Sequence, residues 1–296
     1  MKLKIRDENF VCEFLKIHVG LHLSKDKIRF MKNSFVQKKW YIIALLLSCC
    51  ISCRPQHQPK EVFEKHVFYS KTHDTLPYRL MRPLHNDMQK KYPFVLFLHG
   101  AGERGKDNNT QHVNAAMSFA SEYYRENYPC YVLAPQCAEG FRWVETDWKL
   151  PSHVQPKDVS VYLGMTKLLL DSLINNTNID TNRIYITGLS MGGFGTWDAI
   201  SRWTSLFAAA VPVCGGGDTA KASSIKDIPL WAFHGDKDKV VLTSRSRDMI
   251  AALKKHGGNP SYTEYLNTGH NAWTATYSNP ELFKWLFAQS KSKKKK

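Results

Sequence analysis

The chain has no apolar run long enough to cross a membrane: its longest, Trp40 to Leu47, is eight residues, where a spanning helix needs about 20. Cysteine is scarce, at seven in 296 residues, and only Cys130, Cys137 and Cys214 fall in the body of the chain. That is too few for a fold stapled by disulfides. Within 54–290 no Cys-x-x-Cys or His-x-x-x-His spacing suggests a metal site, no glycine loop suits a phosphate, and no segment repeats. Neither a metal nor an organic cofactor is expected. Acidic residues are also in short supply, 26 against 41 Lys and Arg, for a net charge of +15. The excess sits at the ends. The first 53 residues carry ten Lys and Arg against four acids, residues 291–296 carry five lysines, and 54–290 holds 26 against 22. A body so nearly balanced has no basic stripe to follow phosphates, so nucleic acid is not an expected partner. The basic ends alone would allow a binder of membrane surfaces or nucleic acid with steep salt dependence. Lysines 291–296 read more simply as a solvated tail.

What is present is ample apolar material, 43% hydrophobic and 12% aromatic, enough for a buried core in a chain of this length. Lys32, Lys38 and Lys39 precede the short apolar run Trp40–Ser48, the layout of an export signal. Leu46-Leu47-Ser48-Cys49 then resembles the lipobox of bacterial lipoproteins, where cleavage before Cys49 leaves that cysteine to be acylated. Cys50-Ile51-Ser52-Cys53 is a poorer second choice, and an uncleaved signal anchor is the alternative. The expected plan is an over-extended start over 1–30, a lipoprotein signal over 31–53, a linker over 54–64, one domain over 65–290 and a basic tail over 291–296. The protein is then an exported cell-envelope lipoprotein, held to membrane by its lipid alone. Export would put Cys130 and Cys137 where they could pair, with Cys214 left as a buried apolar residue.

Residues 65–83 alternate well enough for two strands, closed by Pro83. Beyond them, apolar runs alternate with helical patterns. Strands are expected at 94–98, 131–134, 183–188, 208–213, 229–233 and 261–266. Helices are expected at 110–125, 157–174, 192–204, 242–256 and 280–289. Continuous apolar strands separated by helices predict an α/β fold, a mostly parallel sheet covered on both faces. In such sheets the site lies at the carboxyl ends of the strands.

Chemistry-bearing residues stand at four of those ends. Strand 183–188 runs into Gly188-Leu189-Ser190-Met191-Gly192, a Gly-x-Ser-x-Gly turn that feeds a helix and presents a serine at the sheet edge. Strand 94–98 ends in His99-Gly100-Ala101-Gly102-Glu103-Arg104-Gly105, strand 229–233 in His234-Gly235-Asp236-Lys237-Asp238, and strand 261–266 in Asn267-Thr268-Gly269-His270. A serine is a poor nucleophile until a histidine takes its proton and a carboxylate orients that histidine. The order serine, acid, histidine is the order of the α/β-hydrolases.

On these four motifs, together with Gly269-His270-Asn271-Ala272-Trp273, the body resembles an α/β-hydrolase of the dienelactone hydrolase and carboxylesterase type. It is similar to secreted bacterial esterases often labelled predicted peptidases. The resemblance implies an α/β-hydrolase fold without a large lid domain. It also implies a serine carboxylic-ester hydrolase acting through an acyl-serine intermediate. Acetyl or feruloyl esters of polysaccharides are the implied substrates. Ser190, Asp238 and His270 take the catalytic roles, with Asp236 as the rival acid. The backbone N–H groups of Ala101 and Met191 would hold the oxyanion, with Gly102 able to replace Ala101. Glu103 and Arg104 are expected to pair or to brace their loop. Gln136, Trp143, Trp148 and Trp273 are candidate pocket residues, with simple packing as the alternative. A peptidase of prolyl oligopeptidase type, and a non-catalytic carbohydrate-binding module on the same fold, are the competing functions.

Overall fold

The computed structural model describes residues 61–71 and 74–291. The signal over 31–53 with Cys49, most of the linker, and tail residues 292–296 lie outside the described residues. Eight strands form one sheet in the order β1-β2-β4-β3-β5-β6-β7-β8. β1 (Phe63–Tyr69) and β2 (Thr75–Met81) make an antiparallel hairpin, and β2 joins β4 antiparallel. From β4 onward, through β3, β5, β6, β7 and β8, every pairing is parallel.

β3 (Tyr92–Leu98), β4 (Tyr131–Pro135) and β6 (Ala209–Val213) are buried at every position. Their side chains divide between two cores by the two-residue period of a strand. Phe94, Leu96 and Leu98 of β3 enter one core, and Val95 and Phe97 enter the other. The first core is closed by α2 (Val161–Asn176), α3 (Met191–Arg202) and α5 (Ser244–Lys255), through Leu163, Trp197 and Met249 among others. The second is closed by the short 3-10 turn Ala116–Ala120 and by α7 (Pro280–Phe287), through Phe119, Leu282 and Phe283. This is the predicted α/β layering, and no lid domain interrupts it among the described residues.

Three local expectations need correction. In place of one helix over 110–125 there is the 3-10 turn and then α1 (Glu122–Asn127), separated by Ser121 in extended backbone. Side chains hold the preceding stretch out of a helix: the Gln136 Oε1 accepts the Asn108 N–H at 2.7 Å, and the buried Arg79 donates to the Asn108 carbonyl at 2.7 Å. α2 begins at Val161 rather than 157, because the Ser160 hydroxyl caps it by accepting the Leu163 N–H at 3.3 Å. The residues just before it serve Arg202, whose guanidinium takes the carbonyls of Pro156, Lys157 and Asp158 at 2.5, 3.1 and 3.2 Å. Two short helices, α4 (Ala222–Ile225) and α6 (Trp273–Tyr277), lie where none was expected.

Cys130 and Cys137 do not pair. They flank the five residues of β4, which span about 16 Å at 3.3 Å per residue, while a disulfide needs Cα atoms within about 7 Å. They also sit in opposite cores, Cys130 in the second and Cys137 in the first. Burial raises the Cys137 thiol to about 12 and moves Cys130 higher in the same direction. Alkylation of the denatured, unreduced protein is therefore expected to modify both Cys130 and Cys137 fully. A peptide carrying the two joined would contradict this arrangement.

Candidate active site

Strand register brings the functional loops together. β3 and β5 (Ile179–Leu189) pair with Leu98 opposite Gly188, so the two chains leave the sheet side by side, one into Ala101 and the other into Ser190. β5 and β6 pair with Leu189 opposite Val213, and the Ser190 N–H donates to the Val213 carbonyl at 2.9 Å. β7 (Trp231–Gly235) and β8 (Ser261–Tyr265) pair with Gly235 opposite Tyr265, which sets the turn holding Asp238 beside the loop holding His270.

The elbow is tight because its glycines have no room for a side chain. A Cβ on Gly192 would lie 1.9 Å from the Leu98 carbonyl oxygen, and one on Gly188 would lie 2.5 Å from that of Gly192. Neither glycine carries the strained backbone. That falls on Ser190 itself, at φ 52° and ψ −116°, a conformation costing about 1–3 kcal/mol that the surrounding packing must hold.

The sequence-predicted residues Ser190, His270 and Asp238 form one hydrogen-bonded line. The Ser190 Oγ lies 2.8 Å from His270 Nε2, and His270 Nδ1 lies 2.7 Å from Asp238 Oδ2. An ionised carboxylate only accepts, so His270 Nδ1 carries the proton and Nε2 turns its lone pair to the hydroxyl. Burial alone would raise the Asp238 pKa. Hydrogen bonds from His234, His270 and the N–H groups of Val241 and Val240 outweigh it and hold the carboxyl well below its usual range. Asp236 does other work: its Oδ1 accepts the Thr268 N–H at 3.0 Å and ties the two loops together. The structure thus brings Asp238, and not Asp236, to the histidine.

Met191 is the first residue of α3, and Ala101 opens a 3-10 turn over Ala101–Glu103. Neither N–H has an acceptor among the described residues, nor does that of Gly102. Free amides at the start of a helix favour an anion. The loop carrying Ala101 is braced from several sides. Glu103 bonds Asn114, and Arg104 donates to the Ala101 carbonyl at 2.9 Å, so both residues brace and they do not pair with each other. His99 beneath them accepts the Cys137 N–H on Nε2 at 3.0 Å, and its Nδ1 lies 2.6 Å from the Gly100 carbonyl.

The pocket expectations divide. Gln136 is fully buried and donates to Asp107 Oδ1 at 2.6 Å and to the Glu103 carbonyl at 3.2 Å, which makes it a brace of the Ala101 loop. Trp143 is also fully buried, its indole N–H donating to the His99 carbonyl at 2.9 Å. Neither is open to a substrate, because both side chains are fully buried and their polar groups are consumed in holding the neighbouring loop. Trp148 is half-buried under the Arg142 guanidinium, 4.7 Å from its ring centroid. Trp273 stands edge-on to His270, ring centroids 5.3 Å apart. A residue singled out by sequence only as part of a strand end, His234, reaches Asp238 Oδ2 with Nε2 at 3.1 Å. Its place in His234-Gly235-Asp236-Lys237-Asp238, four residues before the acid, was the available signal. Among the described residues no group of three His, Cys, Asp or Glu converges as a metal site would.

The chain is similar to several known proteins. Residues 167–233 match the prolyl oligopeptidase family. A solved thermostable esterase shares 42% identity and a TM-score of 0.73, over 77% of this chain and 63% of that one. A bifunctional acetylxylan esterase/xylanase of Neocallimastix patriciarum is 33% identical over 73 residues, 25% of this chain and 11% of that protein. A carboxylesterase of Arabidopsis thaliana is 26% identical over 207 residues, 64% of this chain and 86% of that one. Together with the sheet order, these likenesses support the α/β-hydrolase fold; the chain spans 63% of the thermostable esterase and 11% of the acetylxylan esterase/xylanase.

Burial lowers His99 from its ordinary 6.5 to about 4, so the ring is neutral in the folded protein. On acidification the unfolded chain takes up that proton first, near 6.5, and the folded one only near 4. The stability His99 contributes is therefore complete above about pH 7 and is lost as pH falls to about 4, by about 3 kcal/mol at 1.36 kcal/mol per unit. Denaturant unfolding between pH 7 and 4 should show this slope in the wild type and a flatter one in His99→Gln. Equal slopes would place the acid sensitivity elsewhere.

Proposed function

We propose that the protein hydrolyses carboxylic esters through an acyl-serine intermediate. The observation that carries this reading is the unbroken line from Ser190 Oγ through His270 to Asp238, with spacings of 2.8 and 2.7 Å. As the Ser190 oxygen attacks the ester carbonyl carbon, His270 Nε2 takes the hydroxyl proton, and Asp238 balances the imidazolium. The carbonyl oxygen becomes an oxyanion facing the N–H groups of Met191 and Ala101, each worth about 3 kcal/mol in reactions of this kind. Collapse breaks the bond to the alcohol, which leaves with the proton from His270. Water then attacks the acyl-serine as His270 takes its proton; the bond to Ser190 Oγ breaks, that oxygen recovers the proton from His270, and the acid is released with free Ser190.

For substrate, the reading favours acylated polysaccharides, acetyl or feruloyl esters. The likeness to an acetylxylan esterase/xylanase supports acetyl groups on a plant glycan. Trp273, edge-on to His270, supplies an aromatic surface that suits a sugar or a ring-bearing acyl group. The match to the prolyl oligopeptidase family favours a second reading, amide cleavage by the same three residues. We also propose that the chain is exported and held to the cell envelope by acylation at Cys49, as its lipobox-like stretch suggests.

A panel of p-nitrophenyl acetate, acetylated xylan, methyl hydroxycinnamates and a prolyl peptide amide discriminates these readings. Ester release is expected to vanish in Ser190→Ala and to fall on the order of 10⁴-fold in Asp238→Asn, with Asp236→Asn retaining most of it. A fluorophosphonate should label Ser190. Ester cleavage that survives in Ser190→Ala would remove the mechanism, and faster cleavage of the peptide amide than of any ester would favour the peptidase.

A further inference from the structure

We propose that His234 is a positioning residue: its Nε2–H holds the Asp238 carboxylate in the orientation that keeps the His270 ring aimed at Ser190. The inference rests on the reading in which Asp238 serves His270. The carboxylate is saturated with donors. Its Oδ1 accepts the N–H groups of Val240 and Val241 at 2.8 and 3.0 Å, and its Oδ2 accepts His270 at 2.7 Å and His234 at 3.1 Å. Two bonds on each oxygen use all the lone-pair directions a carboxylate offers.

His234 is chemically committed to the donor role. Its Nε2 faces Asp238 Oδ2 and, at 3.0 Å, the Val241 carbonyl. Both are acceptors, so that nitrogen carries the proton. On its other side Nδ1 lies 2.8 Å from the Ser246 hydroxyl, whose oxygen is also 3.2 Å from the Gly215 carbonyl, and the single hydroxyl proton serves one of those two acceptors at a time. A relay of fixed groups therefore runs from the loop after β6 through Ser246, His234 and Asp238 to His270 and Ser190. Other ionisable groups border it: Cys214, which feels the Asp238 charge, and Glu264 on β8, which stands opposite His234 in the strand register.

Burial is what makes the donor irreplaceable. His234 is 0% exposed and Ser246 1% exposed, so water has no route to take over the bond. An apolar ring without the N–H would fill the space and leave Oδ2 with one partner. The carboxylate would then be free to pivot toward its two backbone donors, and the imidazole it steers would follow. Loss of aim by a fraction of an ångström costs rate rather than substrate affinity.

The test compares His234→Phe, which keeps a planar ring of somewhat larger volume and removes the donor, with His234→Gln, whose amide N–H reaches the position of Nε2. Kinetics on p-nitrophenyl acetate should show kcat down about 10- to 100-fold in His234→Phe, with KM within about twofold. His234→Gln should recover activity to within about threefold of wild type. In the Asp238→Asn background, His234→Phe should cost less than about threefold more, because the two act through one carboxylate. Should the Phe variant fail to fold by circular dichroism, His234→Asn replaces it, its shorter amide stopping short of Asp238. A folded His234→Phe with wild-type kcat, or a full additional loss in Asp238→Asn, would overturn the inference. Activity retained in Ser190→Ala would instead overturn the functional reading on which it rests.

Discussion

A carboxylate whose side chain is wholly removed from water is the most demanding group in this molecule. An uncompensated charge there would cost several kcal/mol, and the fold meets the demand by bringing four donors to Asp238 from separate places. Val240 and Val241 lie in the turn after β7, His234 in β7 itself, and His270 beyond β8. These donors converge only if β7 and β8 are in register, with Gly235 opposite Tyr265. Ser190 in turn meets His270 only if β5 stands two strands from β7 in the same parallel sheet. Sheet order, strand register and the protonation of one acid are thus a single problem with one solution.

The second constraint is steric. The elbow brings α3 so near β3 that a Cβ at Gly192 would lie 1.9 Å from the Leu98 carbonyl oxygen. That approach sets the loop after Leu98 against the serine and leaves the amides of Ala101 and Met191 unclaimed at the same sheet edge. Around them the bonding is dense: Gln136, His99, Trp143, Glu103 and Arg104 each tie down part of the Ala101 loop. Such bracing is what a preorganised donor requires, because an amide that must first turn toward the charge loses part of its effect.

Much of this was legible in the sequence, for identifiable reasons. Strands buried on both faces are short continuous apolar runs, and Phe94 to Leu98 or Ile184 to Ile186 stand out from any background. The elbow was legible because steric crowding admits only glycine at 188 and 192. Asp238 was preferred over Asp236 by resemblance, and the reason is now geometric, since Asp236 spends its carboxylate on the Thr268 amide. What the sequence concealed were residues whose partners are distant. Nothing local says that Gln136 turns inward to serve residues 103–110, or that Trp143 slides beneath His99. A polar or aromatic residue at a strand end reads as a pocket residue until the loop opposite is known. The same holds for Cys130 and Cys137, close along the chain but held apart by a strand that cannot fold back on itself. His234 was hidden for a related reason: the short spacing to Asp238 was visible, and the closure of the turn that joins them was not.

Ser190 holds a left-handed backbone that glycine would adopt with less strain. The site where the hydroxyl is indispensable is therefore also the site where the fold would gain from losing its side chain. Selection for heat resistance alone would drift toward removing the nucleophile, and only turnover of substrate keeps it in place. A catalytically dead descendant of this scaffold would be expected to melt later than its active parent.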